Sequence, residues 1–195
     1  MAFSYPLNEP GIPYFYNVDF SVGARGHNRR EDVLLVQALL RIFYYEVGFE
    51  NCPPPPGENG IAVDGFYGSS TQRHINHVQQ QFIAVGNDTG NDGLLDPFRS
   101  PPYSTSLITK QYYTLVLLND ACAYGCIETG LDNFVDLPLR ADIPIQLRNA
   151  LATVKTEATR YHGQTPEQVY SEAGAMTRKI FSTLSNKLRA KQRSA

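Results

Sequence analysis

The turn on which the fold of this chain depends reads DGFYGSST and spans residues 64–71. Gly65 and Gly68 supply backbone conformations that other residues disfavour, which predicts a tight turn. Ser69 can cap the helix that follows, and Gln72 completes a capping box three residues later. The segment therefore predicts a rigid junction between a loop and a helix.

The helix predicted after this turn is amphipathic. Ile75, Val78 and Phe82 recur at the spacing of one buried helical face. The opposite face, which we expect to be exposed, carries five polar residues: Arg73, His74, His77, Gln80 and Gln81.

Two more helices are predicted on either side of this junction. Upstream, Asn28 is the expected N-cap of a helix whose residues 32–45 are apolar around most of its girth, as in a central core helix. Downstream, an apolar stretch predicts a third helix over about residues 107–123. The helices are separated by a proline run at residues 53–56 and by a long polar loop at residues 86–106.

Together these blocks resemble the peptidoglycan-binding-like domain family, over residues 21–126. Residues 32–40 resemble the family's DVxxVQxLL opening, and residues 63–71 resemble its VDGxFGxxT turn. Ile75 and Val78 lie where the family has an apolar pair followed by glutamine, although Val78 replaces a more usual aromatic residue. The resemblance implies a three-helix, non-catalytic domain that binds cell-wall glycan or stem peptides, or that docks to proteins.

The same motifs indicate which residues determine the fold. Gln37 and Gln79 stand among apolar neighbours, so we expect each to tie its helix to a loop by hydrogen bonds. Asp64 is expected to accept N–H bonds within the turn. The full set of expected fold determinants is Asp32, Gln37, Asp64, Gly65, Gly68, Thr71 and Gln79.

The rest of the chain predicts further parts outside this domain. Residues 1–20 contain prolines and aromatics without a helical period, which predicts an extended arm. After a linker at residues 127–141, residues 142–195 have the apolar spacing of an antiparallel helical hairpin with a basic C-terminus. We therefore predict an all-α chain, in which an arm precedes a three-helix peptidoglycan-binding-like domain and a helical hairpin follows it.

Charge is distributed unevenly along the chain. Residues 1–147 carry 8 basic and 16 acidic side chains, whereas residues 148–195 carry 9 and 3. The basic C-terminal segment is compatible with nucleic-acid binding, but cations near a helix C-terminus are also favoured by the helix dipole. We expect a solvated face there and no nucleic-acid partner. We also expect no membrane span, because no run approaches the roughly 18 continuous apolar residues that one needs.

No catalytic motif is evident in the sequence. Cys52, Cys122 and Cys126 have no CxxC spacing and are expected to be ordinary thiols. His74 and His77 could hold a metal if a carboxylate joined them, but a solvated polar face is the simpler interpretation. The aspartates at positions 88, 92 and 96 lack the register of an EF-hand loop. We expect no enzymatic activity, no metal and no cofactor.

The N-terminal sequence MAFSYPLNEPGIPYFY lacks the basic, apolar and small-residue regions of a secretory signal peptide. We therefore expect synthesis in the cytoplasm. Delivery within a phage particle or an injection-type particle is a route that requires no such signal.

Two functional hypotheses follow. The first is peptidoglycan recognition through Tyr67, Arg73, His74 and His77, because an aromatic ring suits the apolar face of a sugar and polar side chains suit hydroxyls and stem-peptide carboxylates. The second is a structural protein of a phage tail or contractile injection assembly. That protein would dock to a partner, or associate with itself, through the arm and the 142–195 hairpin.

Overall fold

The structure is a computed structural model that describes residues 1–9, 12–98, 105–106 and 108–152. Its helices are α1 (Arg30–Arg41), α2 (Ser69–Ala84), α3 (Thr114–Thr129) and α4 (Ile145–Leu151), and a π-helical segment (Ile42–Val47) continues α1. Its strands form two antiparallel pairs, β1 (Phe3–Glu9) with β2 (Ile12–Asn17) and β3 (Val22–Gly23) with β4 (Leu94–Leu95).

The prediction of an all-α chain is therefore wrong, because the fold mixes helices with two small sheets. The predicted extended arm contains both strands of the first sheet, paired so that Ser4 lies opposite Tyr16 and Tyr5 opposite Phe15. Strand pairing depends on tertiary contacts as well as on local pattern. Phe3, Tyr5 and Leu7 do alternate with Ser4, Pro6 and Asn8, but the prolines of the arm, which are rare inside strands, weighed against that signal.

The β1–β2 hairpin packs on the helices of its own chain. Asn119 of α3 accepts a hydrogen bond from the Tyr16 backbone N–H (2.7 Å) and donates one to the Tyr16 carbonyl (2.9 Å). The hydroxyl of the buried Tyr16 side chain donates to the Phe134 carbonyl (2.8 Å). Ser4 donates to the Leu151 carbonyl at the end of α4 (2.7 Å). These contacts join the hairpin, α3, α4 and the segment between the two helices into one core.

Helix α1 is the central core helix that the sequence predicted. Residues 32–40 are all buried. Its N-cap, however, is Arg29. The predicted cap, Asn28, adopts a positive φ of 50° and uses its side chain to bind the backbone of Gly23 (2.8 and 2.9 Å), because the preceding glycine-rich loop needs those bonds.

The π-helical segment turns three consecutive polar side chains toward neighbouring elements. Tyr44 donates to Gln81 of α2 (2.8 Å), and the Tyr45 hydroxyl lies 2.8 Å from His74 Nε2. Glu46 faces the opposite way and binds both terminal nitrogens of Arg140 at 2.7 Å. Widening of the helix at its C-terminal end therefore links α1 to α2 and to the 133–142 segment.

Helix α3 begins later than predicted. Residues 108 and 109 lie in a turn, the Ser106 N–H donates to the Gln111 carbonyl (2.7 Å), and the helix starts only at Thr114. The helix ends at Gly130, which has a φ of 69°. For the predicted 142–195 hairpin, the described residues include only α4, and residues 153–195 lie outside them.

Candidate functional site

The predicted DGFYG turn is held to α1 by a single glutamine side chain. Gln37 Oε1 accepts the backbone N–H groups of Asp64 (3.1 Å) and Gly65 (2.8 Å). Its Nε2 donates to Asp64 Oδ1 (3.0 Å), the Phe66 carbonyl (3.1 Å) and Thr71 Oγ1 (3.2 Å). The hydrogen bonds expected of Gln37 are present, and they fix the turn against the start of α2.

Gln79 makes a corresponding set of hydrogen bonds one helix later. Its Oε1 accepts the Gly93 N–H (2.9 Å), and its Nε2 donates to Asp92 Oδ1 (3.0 Å) and the Leu94 carbonyl (2.9 Å). Gln79 Nε2 also lies 3.4 Å from Oγ1 of Thr114, the first residue of α3. The chain therefore contains two copies of one arrangement, in which a helical glutamine binds an Asp-Gly turn and a threonine of the next helix.

On α2, Arg73 lies beside an acidic partner. Its guanidinium binds Glu58 of the proline-rich loop, with Nε 2.6 Å from Oε1 and Nη2 closer still. Ser70 donates to the other oxygen of Glu58 (2.9 Å). These two hydrogen bonds hold the pKa of the Glu58 carboxyl below its usual range. Arg73 remains exposed, but its charge is largely neutralised by Glu58.

His74 is completely buried, so the prediction of an exposed His74 is wrong. Its Nδ1 lies 2.8 Å from the Ser70 carbonyl, which assigns the proton to Nδ1, and its Nε2 accepts from the Tyr45 hydroxyl. Burial lowers the pKa of His74, which favours the neutral ring. The side chain ties α2 to the π-helical segment and is out of reach of a ligand at the surface.

His77 and Gln81 hold the proline-rich loop to α2. The Pro53 carbonyl accepts a hydrogen bond from Gln81 Nε2 (2.7 Å) and lies 3.1 Å from His77 Nε2. In the described part of the chain, no group of three or more His, Cys, Asp or Glu side chains is placed to bind a metal ion. The polar residues of this face therefore organise the loop around α2.

Tyr67 contacts a different stripe of α2 from the one that carries Arg73, His74 and His77. Its hydroxyl donates to Gln72 Oε1. Gln72 in turn donates to Asn76 (2.6 Å) and to the Gly93 carbonyl (3.1 Å). The structure thus brings Arg73, His74 and His77 together beside the proline-rich loop and places Tyr67 toward the second Asp-Gly turn.

A recess of about 120 Å³ lies beside that second turn, between α2 and the segment that leads into α3. It is lined by Gln79 and by side chains from both flanking loops, among them Asp92, Asp96, Thr109, Gln111, Tyr112 and Tyr113. The sequence predicted only a polar loop here, because the walls of the recess come from segments up to 35 positions apart. The combination of two tyrosines with aspartates and an amide was the available signal.

Several polar groups lining the recess have hydrogen-bonding capacity that the described residues do not use. Tyr113 makes no side-chain hydrogen bond to the residues that the structure describes, and Gln111 uses only its Nε2, toward Asp88 (3.1 Å). Asp96 binds Ser21 through one oxygen, and Asp92 accepts its bonds through Oδ1 alone. The recess therefore differs from the α2 face, where Arg73, His74 and His77 all have partners.

All three cysteines are free and buried. Burial raises the pKa of the Cys52, Cys122 and Cys126 thiols above their usual range. A thiol whose pKa is raised has little of the thiolate form that acts as a nucleophile or metal ligand. The cysteines therefore contribute to packing, as in the contact of Cys122 Sγ with the Leu39 carbonyl (3.3 Å).

Comparison of the chain with protein-family models, with curated proteins and with solved structures gave no match. Among the helices within the described residues, none is both long enough and apolar enough to cross a membrane.

Proposed function

We propose that this chain is a non-catalytic binding module that recognises peptidoglycan. The observation that carries the proposal is the pair of glutamine networks centred on Gln37 and Gln79. Their Asp-Gly turns and threonines include the very residues through which the sequence resembles the peptidoglycan-binding-like family. The resemblance therefore rests on residues with a defined structural role, in addition to matching letters.

The environment of the potential catalytic groups supports a binding role. The His74 ring is inaccessible, and raised pKa values keep the cysteines in the thiol form. Arg73 is paired with Glu58. Of the ligand contacts predicted on α2, Tyr67, Arg73 and His77 reach the surface but are each bound to a neighbouring residue of the chain, and His74 is buried beneath them.

Co-sedimentation of the full chain with intact peptidoglycan sacculi tests the proposal. Cellulose particles serve as the control, because cellulose is an insoluble β-linked glycan without acetamido groups or peptides. Saturable binding to sacculi, with little to cellulose, is the expected result. Equal binding to both, or binding to neither, would remove peptidoglycan recognition as the function.

A second candidate, a structural protein of a phage tail or contractile injection assembly, is favoured by a different observation. Large apolar side chains are exposed near the end of α3, in the segment that follows it and at the start of α4: Ile127 is 50% exposed, Leu139 76% and Ile145 50%. Such residues commonly mark protein contacts when they lie together. Light scattering on the full chain tests this candidate, since a monomer at all concentrations would count against self-assembly and an oligomer disrupted by Leu139→Ser would support it.

A further inference from the structure

We propose that the recess between α2 and the segment leading into α3 is a subsite for one sugar residue of a glycan strand. This inference rests on the proposed function and makes it specific, because it selects the glycan over the stem peptide as the ligand. It also places the site at residues other than the α2 contacts that the sequence predicted.

The size of the recess fits a small part of a ligand. Its volume of about 120 Å³ is well below the roughly 300–1,000 Å³ of sites that enclose a drug-sized molecule. It suits one side of a single sugar unit, while the remainder of the strand stays outside.

The lining side chains provide what a sugar ring requires. Tyr112 and Tyr113 offer apolar ring surface with a polar edge, and a pyranose has an apolar face of comparable size. Around them, Asp92, Asp96 and Gln111 present acceptor oxygens for hydroxyl and amide protons. A ligand would satisfy the unused oxygens of Asp92, Asp96 and Gln111.

The charge of the recess favours the glycan strand of peptidoglycan over its stem peptide. Among the described residues that line it, two are aspartates and none is basic, and a third aspartate, Asp88, is bound to Gln111 of the same wall. A carboxylate brought into this site would meet like charge and lose hydration. A neutral sugar avoids the repulsion, and hydrogen bonds to the aspartates replace the hydration that its hydroxyl groups lose, whereas the free carboxylates of a stem peptide meet both costs.

Gly90 permits a direct test, because it lines the recess and tolerates a side chain. Its φ is not in the left-handed region, and an added Cβ would lie 3.5 Å from its nearest neighbour, the Asp92 carboxylate. Gly90→Leu should therefore fill the recess without disturbing the backbone. Gly60→Leu is the matched control, since Gly60 is exposed and a Cβ there meets nothing within 4 Å.

The full chain and both variants are to be titrated with a β-1,4-linked N-acetylglucosamine tetrasaccharide, monitored by NMR, and sedimented with sacculi. We expect the unaltered chain and Gly60→Leu to bind both, and Gly90→Leu to bind both about tenfold more weakly or worse. If circular dichroism shows that Gly90→Leu is unfolded, the double variant Gln111→Ala with Tyr113→Phe takes its place. This variant removes unused polar groups and one hydrogen bond to Asp88, and we expect it to bind both ligands about tenfold more weakly or worse.

The outcomes separate this inference from the proposed function. Undiminished binding by the folded recess variants would overturn the recess as the site, while sacculus binding by the unaltered chain would leave peptidoglycan recognition standing. Binding to sacculi without binding to the tetrasaccharide would overturn the sugar assignment and point to the stem peptide. Binding to neither by the unaltered chain would overturn both proposals.

Discussion

Gln37 of α1 and Gln79 of α2 are structurally equivalent. Each accepts the N–H of a glycine in an Asp-Gly turn and donates to the aspartate of that turn and to the carbonyl one residue after the glycine. Both glycines have a positive φ, 76° at Gly65 and 72° at Gly93. The same type of junction therefore occurs twice, between α1 and α2 and between α2 and α3.

Replacing either glutamine should destabilise the fold strongly. Gln37→Ala and Gln79→Ala each leave buried backbone N–H and carbonyl groups without partners, and we expect the free energy of unfolding to fall by about 2–4 kcal/mol. Urea denaturation measures this loss. Gln80→Ala, at an exposed position next to Gln79 on the same helix, is the control and should change stability little. A loss below about 0.5 kcal/mol for Gln37→Ala would contradict the role of the network.

The glycine of the first turn should resist substitution. Gly65 has a positive φ, and a Cβ there would come within 2.7 Å of the Arg30 side chain and 3.0 Å of Leu34. We expect Gly65→Ala to lower the midpoint of thermal unfolding by several degrees, because strain of about 1–2 kcal/mol or more is introduced. Gly60→Ala is the matched control. Equal midpoints for the two variants would show that the turn can relax at no cost.

The buried histidine should make stability depend on pH. In the unfolded chain His74 titrates near its ordinary value of 6.5, whereas in the folded protein burial lowers its pKa. Between these two pKa values the unfolded state binds a proton at His74 that the folded state does not. The free energy of unfolding should therefore fall as the pH is lowered from 7 through 6.5 and toward the lowered pKa.

The variant His74→Gln isolates this contribution. We expect its free energy of unfolding, measured by urea denaturation, to change less between pH 7 and pH 5 than that of the unaltered protein. His77→Gln, in which a half-buried histidine of the same helix is replaced, is the control for general effects of removing an imidazole. If both variants keep the full pH dependence, the source of that dependence lies elsewhere.

The ion pair between Glu46 and Arg140 should contribute more than the pair between Glu58 and Arg73. Both side chains of the first pair are only 15–16% exposed and meet through two bonds of 2.7 Å, and Asn133 also donates to Glu46 (2.9 Å). The Glu46 hydrogen bonds raise the pKa of Arg140 further above its usual range. A double-mutant cycle with Glu46→Gln and Arg140→Met should give a coupling energy of about 1–2 kcal/mol.

The comparison cycle uses Glu58→Gln and Arg73→Met. The Arg73 side chain is 56% exposed, so water and salt screen this pair, and we expect a smaller coupling energy that falls further as salt is added. A larger coupling at the exposed pair would contradict the view that burial and geometry set the difference.

The parts of the fold that could be predicted from the sequence are those that depend on local pattern. The turn at Gly65 and the helices around it follow from glycine placement and apolar spacing, and the roles of Gln37 and Gln79 follow from polar residues set among apolar ones. The β-hairpin could not be predicted in this way, since it depends on contacts such as that between Tyr16 and Asn119, which are 103 positions apart.

The candidate site was less predictable than the fold. His74 has the polar neighbours of an exposed residue in sequence, but the π-helical segment places Tyr45 against it and buries it. The recess combines residues from α2 with residues as distant as Tyr113, and no local pattern marks such a combination. The sequence alone gives the residue types of those segments and not their spatial arrangement.

A binding isotherm of the full chain with intact sacculi, measured in parallel for Gly90→Leu and Gly60→Leu, tests most directly whether this protein recognises peptidoglycan. We predict saturable binding by the unaltered chain and by Gly60→Leu with equal dissociation constants, and binding about tenfold weaker or worse by Gly90→Leu. The absence of saturable binding by the unaltered chain would contradict the central claim that this protein recognises peptidoglycan.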